Sequence, residues 1–397
     1  MVVDERDGFA HLYVRSSEDG ATLRRLTEGG GANVVVEEVV AVEGADVYFL
    51  GGAATATESL ERHLFKVPYD GSGPPARVDE AATTFVDAAA VAKGGGAVFL
   101  QHSAAAQPVR ADLVVVGDDG ATTVRLRDGA DDARAKSLAP PDFFELETAD
   151  GAATLRGALY APDAATHGPG PYPTVVSCYG GPHVQFVQDK FATATADMRA
   201  QHLRSRGYLV VKVDNRGSKR RGLAFEAAVH GSFGCLEVDD QVAAVDYAVE
   251  RGLADPERVG IFGWSYGGYL SAMALAKAPE VFRCAVAGAP VASWEGYDTH
   301  YTERYMKGGP KENPEGYREA DVCTHVKNVE GALLLVHGLV DENVHFRHTA
   351  RLAQAMVDNG KAYDLLCFPN ERHSPRSEKD RAYQEARVFA FLEKWLS

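Results

Sequence analysis

The stretch that decides the fold of this chain is Gly263-Trp264-Ser265-Tyr266-Gly267-Gly268-Tyr269, which directly follows the apolar run Val259-Gly260-Ile261-Phe262. A short buried strand followed by the pattern Gly-x-Ser-x-Gly is typical of a nucleophile elbow, a turn so tight that glycines must flank the serine. The residues from Tyr269 to Ala276 predict the helix that follows such a turn. The motif therefore predicts a hydrolase with Ser265 as its nucleophile.

Alternating strands and helices surround this motif from residue 139 onward. The linker Ala139-Pro140-Pro141 is followed by a strand-like segment at Phe143–Glu147. Apolar runs then predict strands at Thr174–Cys178, Tyr208–Val213, Val259–Phe262, Ala285–Ala289, Ala332–His337 and Tyr363–Phe368, with helices between most of them, such as Val238–Glu250 and Thr349–Asn359. This order favours a mainly parallel sheet covered by helices on both faces, an α/β-hydrolase catalytic domain over residues 139–397.

Residues 1–138 have a different sequence pattern, with short segments of alternating apolar and polar residues and few helix signals. Segments beginning at His11, His63 and Ala111 resemble one another, recur about every 50 residues, and lead to Asp19-Gly20, Asp70-Gly71 and Asp119-Gly120. Strand pairs closed by Asp-Gly turns at this period predict blades of a β-propeller, with an irregular β-sandwich as the alternative. Because closed propellers have about four to eight blades, we expect a partial propeller of about three blades whose N-terminal blades are missing from this chain. The alternative is that the three blades close against another molecule.

Charge and cysteine content restrict the partners and the compartment. The 397 residues carry a net charge of −15, which argues against nucleic acid and anionic membranes as partners. No apolar run approaches the ~18 residues that a membrane span needs, and the first residues contain no apolar stretch of signal-peptide length. The five cysteines are dispersed without Cys-x-x-Cys spacing, so we expect a cytoplasmic protein with reduced thiols that uses no metal or other cofactor.

A serine nucleophile needs a base and an orienting carboxylate, which follow it in the order Asp, His in the α/β-hydrolase fold. The buried strand that ends at Gly338 leads to Asp341, and the polar loop after Phe368 contains His373. Both side chains are expected at the same edge of the sheet as the elbow. Ser265, Asp341 and His373 are therefore the predicted catalytic residues.

Other histidines and aspartates fit these roles less well. His337 lies inside a predicted strand and is interpreted as a packed core histidine. His345 and His348 open the next helix, too close in sequence to the predicted carboxylate to be oriented by it and still reach the serine. Asp298 and Asp321 do not follow a buried strand.

The oxyanion formed during acyl transfer needs hydrogen-bond donors already in place, and losing one raises the barrier by about 3 kcal/mol. We expect the backbone N–H of Tyr266 to be one donor. The second normally comes from the loop after an early strand, here Ser177–Pro182. The phenol of Tyr179 is well placed in that loop, with a packing aromatic as the alternative interpretation.

Several longer strings resemble the dipeptidyl peptidase IV family of the prolyl oligopeptidase clan, over nearly the whole chain. They are Tyr179–Pro182, Asp214–Ser218, Gly263–Tyr269, Gly288–Val291, Tyr297-Asp298, Tyr301–Met306 and Asp341–Phe346. Within that family, Asp341-Glu342-Asn343 and Asn370–Ser374 are most similar to the cytosolic dipeptidyl peptidase 8 and 9 branch.

The resemblance implies a serine peptidase that removes N-terminal dipeptides from peptides with proline or alanine in the second position, and it suggests a homodimer. It implies the same triad as above, with Tyr179 and Tyr266 in the oxyanion hole. It also implies a proline-selective pocket, since flat aromatic walls bury a compact apolar ring without leaving polar groups unpaired. The implied substrate-binding residues are Tyr297, Tyr301, Trp294, Val291, Asn343 and Val344.

Two departures from the family pattern bear on product length and compartment. The family holds the substrate amine with a glutamate pair on the propeller. Glu37-Glu38 is a glutamate pair in this chain, but the residues around it do not match the family's motif, so it is interpreted as a strand edge without a role. The arginine that the family presents from the propeller is not identifiable either. Cys284 has no partner cysteine in the final helix, unlike the secreted branch, which supports an intracellular chain. The alternatives are an acylaminoacyl peptidase or esterase, and a non-catalytic interaction module.

Overall fold

The computed structural model describes residues 1–27, 34–53, 60–79, 84–117, 120–131 and 133–397. The chain forms two compact units. The first comprises Met1–Pro141 with the segments Val187–Met198 and Lys219–Glu226, and the second comprises Asp142–Phe186, Arg199–Ser218 and Ala227–Ser397. The predicted division into a partial propeller (1–138) and a catalytic domain (139–397) stays a prediction.

The second unit is built on one sheet of eight strands. Their bounds are Asp142–Glu147 (β12), Thr154–Tyr160 (β13), Tyr172–Cys178 (β14), Leu209–Asp214 (β15), Ala254–Trp264 (β16), Cys284–Gly288 (β17), Ala332–Gly338 (β18) and Asp364–Phe368 (β19), numbered after the eleven strands found in the described part of the first unit. The spatial order is β12-β13-β15-β14-β16-β17-β18-β19; β13 pairs antiparallel with both β12 and β15, and all the other pairs are parallel. The α/β-hydrolase prediction is confirmed. The strand β12 corresponds to the strand-like segment predicted at Phe143–Glu147, and the antiparallel strand β13 is an addition to the prediction.

Burial explains why these runs form central strands. Every residue of β15 and β17 is buried, as expected of parallel strands covered on both faces. The helix after the elbow is buried at every position from Tyr266 to Ala276, so it is apolar on all sides, as a helix inside a core must be.

The helices lie between the strands as the sequence predicts. Their bounds are Ala133–Lys136 (α1), Ala164–His167 (α2), Met198–Ser205 (α3), Leu223–Glu226 (α4), Leu236–Glu250 (α5), Tyr266–Lys277 (α6), Thr299–Tyr305 (α7), Pro314–Glu319 (α8), Val322–His325 (α9), Arg347–Asp358 (α10) and Glu378–Leu396 (α11). Among the described helices, none combines the length and the apolar character that crossing a membrane requires.

In its described residues, the first unit is all-β apart from short helical turns. A three-stranded sheet contains Val2–Asp4 (β1), His11–Arg15 (β2) and Thr22–Arg25 (β3). Two four-stranded sheets follow: Val34–Glu43 (β4), Asp46–Ala53 (β5), His63–Pro68 (β6) and Ala76–Arg77 (β7); then Phe85–Val91 (β8), Ala97–Ala104 (β9), Gln107–Gly117 (β10) and Gly120–Asp128 (β11). Buried side chains of neighbouring sheets pack into shared cores, as in adjacent propeller blades.

The predicted repeat has a physical counterpart in hydrogen bonding. The Nδ1 atom of His11 lies 2.9 Å from Oγ1 of Thr27, and Nδ1 of His63 lies 3.0 Å from Oδ2 of Asp79; both pairs are separated by 16 residues. Since β2 aligns with β6, strands β1–β3 correspond to the second to fourth strands of the next sheet. The third copy differs, because a bulge beside Asp112 shifts its register. Asp119 of its predicted turn lies outside the described residues.

Candidate active site

Ser265 sits at the junction of β16 and α6 with φ 60° and ψ −117°, a conformation that non-glycine residues rarely adopt. Its backbone N–H donates to the carbonyl of Gly288 at 2.8 Å. A Cβ atom on Gly267 would overlap the carbonyl oxygen of Cys178, and one on Gly263 would overlap the backbone of Gly267. The two glycines therefore let helix and strand approach closely enough to hold the serine in this turn.

Asp341 follows β18 and is the centre of a dense hydrogen-bond arrangement. Its Oδ1 atom accepts the backbone N–H groups of Asn343 and Val344, both at 2.9 Å. Its Oδ2 atom lies 2.7 Å from Nδ1 of His373. Burial opposes ionisation, but hydrogen bonds from His337 and His373 outweigh it and hold the pKa of the Asp341 carboxyl well below its ordinary value. Asp341 is therefore an ionised acceptor, and Nδ1 of His373 carries the proton that it accepts.

Trp264, the residue before the serine, ties the histidine loop to the elbow. Its indole Nε1–H donates to the backbone carbonyl of His373 at 2.8 Å. No role for this tryptophan was predicted from the sequence. The contact links the three predicted catalytic residues, because Asp341 binds the imidazole of His373 while Trp264 binds its backbone.

The rival aspartates are helix caps. Asp298 accepts the N–H of Tyr301 at 3.0 Å at the start of α7, and Asp321 accepts the N–H of Cys323 at 2.8 Å at the start of α9. His345 is exposed. His337 is fully buried, as expected of a core histidine, but it also contacts Asp341.

His348 supports the loop that contains Val291 and Trp294. The backbone N–H of Ala292 donates to its Nδ1 atom at 3.3 Å, while its Nε2 atom lies 3.2 Å from the carbonyl oxygen of Gly296. Burial lowers the pKa of His348 to about 4, so the ring is neutral and donates from Nε2. No sequence motif indicates this support, since it joins two segments that are distant in the chain.

Tyr179 and Tyr266 lie side by side, with ring centroids 6.2 Å apart. Among the described residues, the Tyr179 hydroxyl has no hydrogen-bond partner, and burial raises the pKa of this phenol, so it stays a donor. Asn215 fixes the loop from below, because its Nδ2 donates to the Gly180 carbonyl at 3.0 Å while its Oδ1 accepts from Gln241 at 2.9 Å. The phenol is therefore available to an external acceptor.

Glu237 is a buried carboxyl behind the elbow that the sequence analysis missed. It accepts the Tyr266 hydroxyl at 2.7 Å and the backbone N–H groups of Gly234 and Cys235 at 3.0 and 3.2 Å. Complete burial raises the pKa of this carboxyl despite these donors. The Tyr266 side chain is thus anchored in the core, which leaves its backbone N–H as the group that can serve the site.

An aromatic cluster forms beside these residues. Tyr297 and Tyr301 meet edge to face at 5.7 Å, and Trp294 stacks on Tyr301 at 6.1 Å. Phe233, which the sequence analysis did not single out, packs on Trp294 with centroids 4.8 Å apart. The Tyr297 hydroxyl donates to Oδ1 of Asn343 at 2.9 Å. Trp294, Val291 and Val344 are buried, whereas Asn343 is exposed.

Glu37 is engaged within the first unit. Its Oε1 atom lies 2.7 Å from Nε of Arg220, and its Oε2 atom lies 3.8 Å from Arg62. It belongs to β4, the edge strand of its sheet, as the sequence analysis expected. A carboxylate neutralised by two arginines is a poor anchor for a substrate amine. Among the described residues, no group of three or more histidine, cysteine or acidic side chains could hold a metal ion.

The eight-stranded sheet with Ser265 at the turn between β16 and α6 defines the α/β-hydrolase class. The chain belongs to the prolyl oligopeptidase family, whose family model matches residues 194–397. A second model, described as the dipeptidyl peptidase IV N-terminal region, matches residues 1–109.

Known proteins of this kind are similar over most of the chain. Dipeptidyl peptidase 8 of Homo sapiens is 38% identical over 92% of this chain, and the prolyl endopeptidase FAP of Mus musculus is 36% identical over 57% of it. The match spans 40% of the length of the first relative and 30% of the second. The crystal structure of Porphyromonas gingivalis dipeptidyl peptidase 4 superposes with a TM-score of 0.85 at 28% identity, covering 99% of this chain and 54% of that one.

Proposed function

We propose that this chain is part of a serine dipeptidyl aminopeptidase that releases N-terminal dipeptides after proline or alanine, through an acyl-enzyme on Ser265. The observation that carries the proposal is the contact between Asp341 and His373 at 2.7 Å, in a loop that Trp264 ties to the nucleophile elbow. The matches to a human dipeptidyl peptidase 8 and to a dipeptidyl peptidase 4 structure support the dipeptidase assignment.

The proposed chemistry follows from the proton positions. Because Nδ1 of His373 donates to ionised Asp341, its Nε2 atom has a free lone pair that can take the proton of Ser265. The Ser265 oxygen then attacks the substrate carbonyl, and the oxyanion is bound by the N–H of Tyr266 and the phenol of Tyr179. His373 then gives the proton to the leaving amine. In the second half of the reaction His373 takes a proton from a water molecule, which attacks the acyl-enzyme, and the proton passes to the Ser265 oxygen as the acyl group is released.

The aromatic cluster is the proposed pocket for the residue before the cleaved bond. Tyr297 and Tyr301 present two ring planes at 88°, which form an apolar corner suited to the flat face and edge of a pyrrolidine ring. Val291, Trp294 and Val344 complete its walls. Asn343 is the proposed donor to a substrate carbonyl, because its Oδ1 is occupied by Tyr297 and its amide N–H groups remain.

The test compares three substrates on the full chain: a Gly-Pro chromogenic amide, an acetyl-alanine amide and a simple ester. We expect turnover of the free-amine amide, and none with Ser265→Ala, whereas Ser205→Ala at an exposed helix position remains active. Preference for the acetylated amide would contradict the dipeptidase assignment and favour an acylaminoacyl peptidase or esterase. The engagement of Glu37 by two arginines is the observation that favours this second candidate.

A third reading is a non-catalytic interaction module. A fluorophosphonate probe separates it from both hydrolase candidates, because such a probe reacts with an activated serine whatever the substrate specificity. Labelling of the wild type but not of Ser265→Ala would exclude the non-catalytic reading.

A cytoplasmic location and a homodimer also belong to this proposal. All five cysteines are unpaired, as is usual in reducing compartments, and burial raises the pKa of the Cys284 thiol to about 12, which makes it inert. Cell fractionation and light scattering on purified protein test the two statements.

A further inference from the structure

A second histidine binds the carboxylate of the predicted triad. His337 lies near the end of β18 and is fully buried, as is Thr349 in α10. Its Nε2 atom lies 3.1 Å from Oδ2 of Asp341, the same oxygen that His373 binds, and 2.8 Å from the carbonyl oxygen of Val344. Its Nδ1 atom lies 2.7 Å from Oγ1 of Thr349.

These distances fix the proton positions on the ring. Both neighbours of Nε2 are acceptors, so Nε2 must carry a hydrogen. In the neutral ring Nδ1 is then an acceptor, and the hydroxyl of Thr349 is its donor. Thr349 thus selects the tautomer in which His337 donates to Asp341 and to the backbone of Val344, a wall of the proposed pocket.

We propose that His337 is a positioning residue. It holds the Asp341 carboxylate in the orientation that binds His373, and it weakens the electrostatic attraction between this carboxylate and the His373 imidazole. This inference rests on the proposed roles of Ser265, Asp341 and His373. The N–H of His337 shares Oδ2 with the N–H of His373, so it fixes the plane of the carboxylate and draws negative charge from the oxygen that orients the base. Without this donor the backbone N–H groups of Asn343 and Val344 still hold Oδ1, but Oδ2 keeps His373 as its one remaining side-chain partner among the described residues, and the charge on Oδ2 acts on that imidazole alone.

Three variants isolate this effect. His337→Leu removes the donor, His337→Gln keeps an amide N–H near the position of Nε2, and Thr349→Val removes the hydroxyl that selects the tautomer. His167→Leu, at an exposed helix position, is the matched control. The titratable groups near His337 are Asp341, His373 and His348, and all three remain in every variant.

The main measurement is the second-order rate of fluorophosphonate labelling of Ser265 as a function of pH, which does not depend on peptide specificity. For His337→Leu we expect a fall of about 10- to 100-fold, the range for a hydrogen bond to a charged group. We also expect the acidic limb of the profile to move to higher pH, because the carboxylate then favours protonated His373 more strongly. His337→Gln should recover most of the wild-type labelling rate. Thr349→Val should lower the rate by a smaller factor than His337→Leu does. In all three variants KM for the Gly-Pro amide should stay within about threefold of the wild-type value.

The outcomes separate this inference from the proposed function. An unchanged rate in His337→Leu overturns the inference, and so does a loss with an unmoved acidic limb that His337→Gln does not restore, since that pattern indicates a purely structural role. A wild type that is labelled but does not cleave the Gly-Pro amide refutes the dipeptidase assignment while the positioning role is still read from labelling. A folded wild type that is not labelled refutes the catalytic role of Ser265, and this inference with it.

Discussion

Replacing Tyr179 by phenylalanine tests the oxyanion site at a single oxygen atom. The structure predicts a clean substitution, because among the described residues this hydroxyl has no hydrogen-bond partner to lose. Folding stability should therefore change by less than about 0.5 kcal/mol, as for other substitutions that break no contact. If the phenol donates to the oxyanion, its loss raises the barrier by about 3 kcal/mol, which lowers kcat by about 100-fold or more.

The substrate binds before the oxyanion forms, so KM should stay within about twofold. The assay is steady-state hydrolysis of the Gly-Pro amide together with the rate of fluorophosphonate labelling, which forms a comparable oxyanion-like centre. Tyr383→Phe, at a residue that is 53% exposed, is the matched control and should behave as wild type. Since burial raises the pKa of the Tyr179 phenol, the wild type should not lose activity through its ionisation near pH 10. A Tyr179→Phe enzyme whose kcat is within threefold of wild type would refute the oxyanion role.

Three further predictions concern the elbow and its carboxylate. Trp264→Phe removes the 2.8 Å hydrogen bond to the His373 carbonyl, which is worth about 1 kcal/mol. Fluorophosphonate labelling of Ser265 should therefore slow by about fivefold. An unchanged rate would mean that this bond does not position the histidine. Gly267→Ala places a Cβ against a backbone carbonyl oxygen of β14 and should lower the free energy of unfolding in urea by about 1–3 kcal/mol. Gly96→Ala, whose Cβ would have nothing within 4 Å, is the control and should be neutral. Equal stabilities of the two variants would contradict the predicted clash. The lowered pKa of Asp341 means that its carboxylate stabilises the folded state above the unfolded pKa of about 4, and that this contribution is lost as pH falls below it. The stability difference between wild type and Asp341→Asn should therefore shrink between pH 6 and pH 3, and a constant difference would contradict the shift.

The central sheet could be predicted from sequence because its strands are buried on both faces and read as continuous apolar runs. Leu209–Asp214 and Cys284–Gly288 were each located to within one residue. The positions of Asp341 and His373 followed from the rule that loops at the carboxyl edge of a parallel sheet meet. Their 2.7 Å contact agrees with that expectation.

Contacts that depend on loop curvature could not be predicted. His337 and Asp341 are four residues apart across a strand end, and only the path of the intervening turn brings their side chains within 3.1 Å. Glu237 was missed for a similar reason, because nothing in a helical pattern shows that a carboxyl will face the back of the elbow. The capping role of Asp298, by contrast, has a visible sequence signal, because an aspartate directly before a helical segment is typical of an N-cap.

The grouping of Val187–Met198 and Lys219–Glu226 with the first unit was also invisible, since their composition resembles that of their surroundings. The repeat was visible in sequence because Leu12 and Leu64 are both fully buried at equivalent positions. In the third copy Leu113 is only half-buried, because the bulge beside Asp112 changes which side chains face the core.

The backbone of Ser265 gives the elbow an evolutionary consequence. A non-glycine residue at φ 60° and ψ −117° costs the folded state about 1–3 kcal/mol, whereas glycine occupies such conformations freely. Selection for thermal tolerance alone would therefore favour a glycine at this position and lose the hydroxyl. A serine that is retained at this position in a lineage therefore indicates selection for reactivity at a cost in stability. Variant libraries that are screened for heat resistance should also be screened for activity, so that this serine is kept.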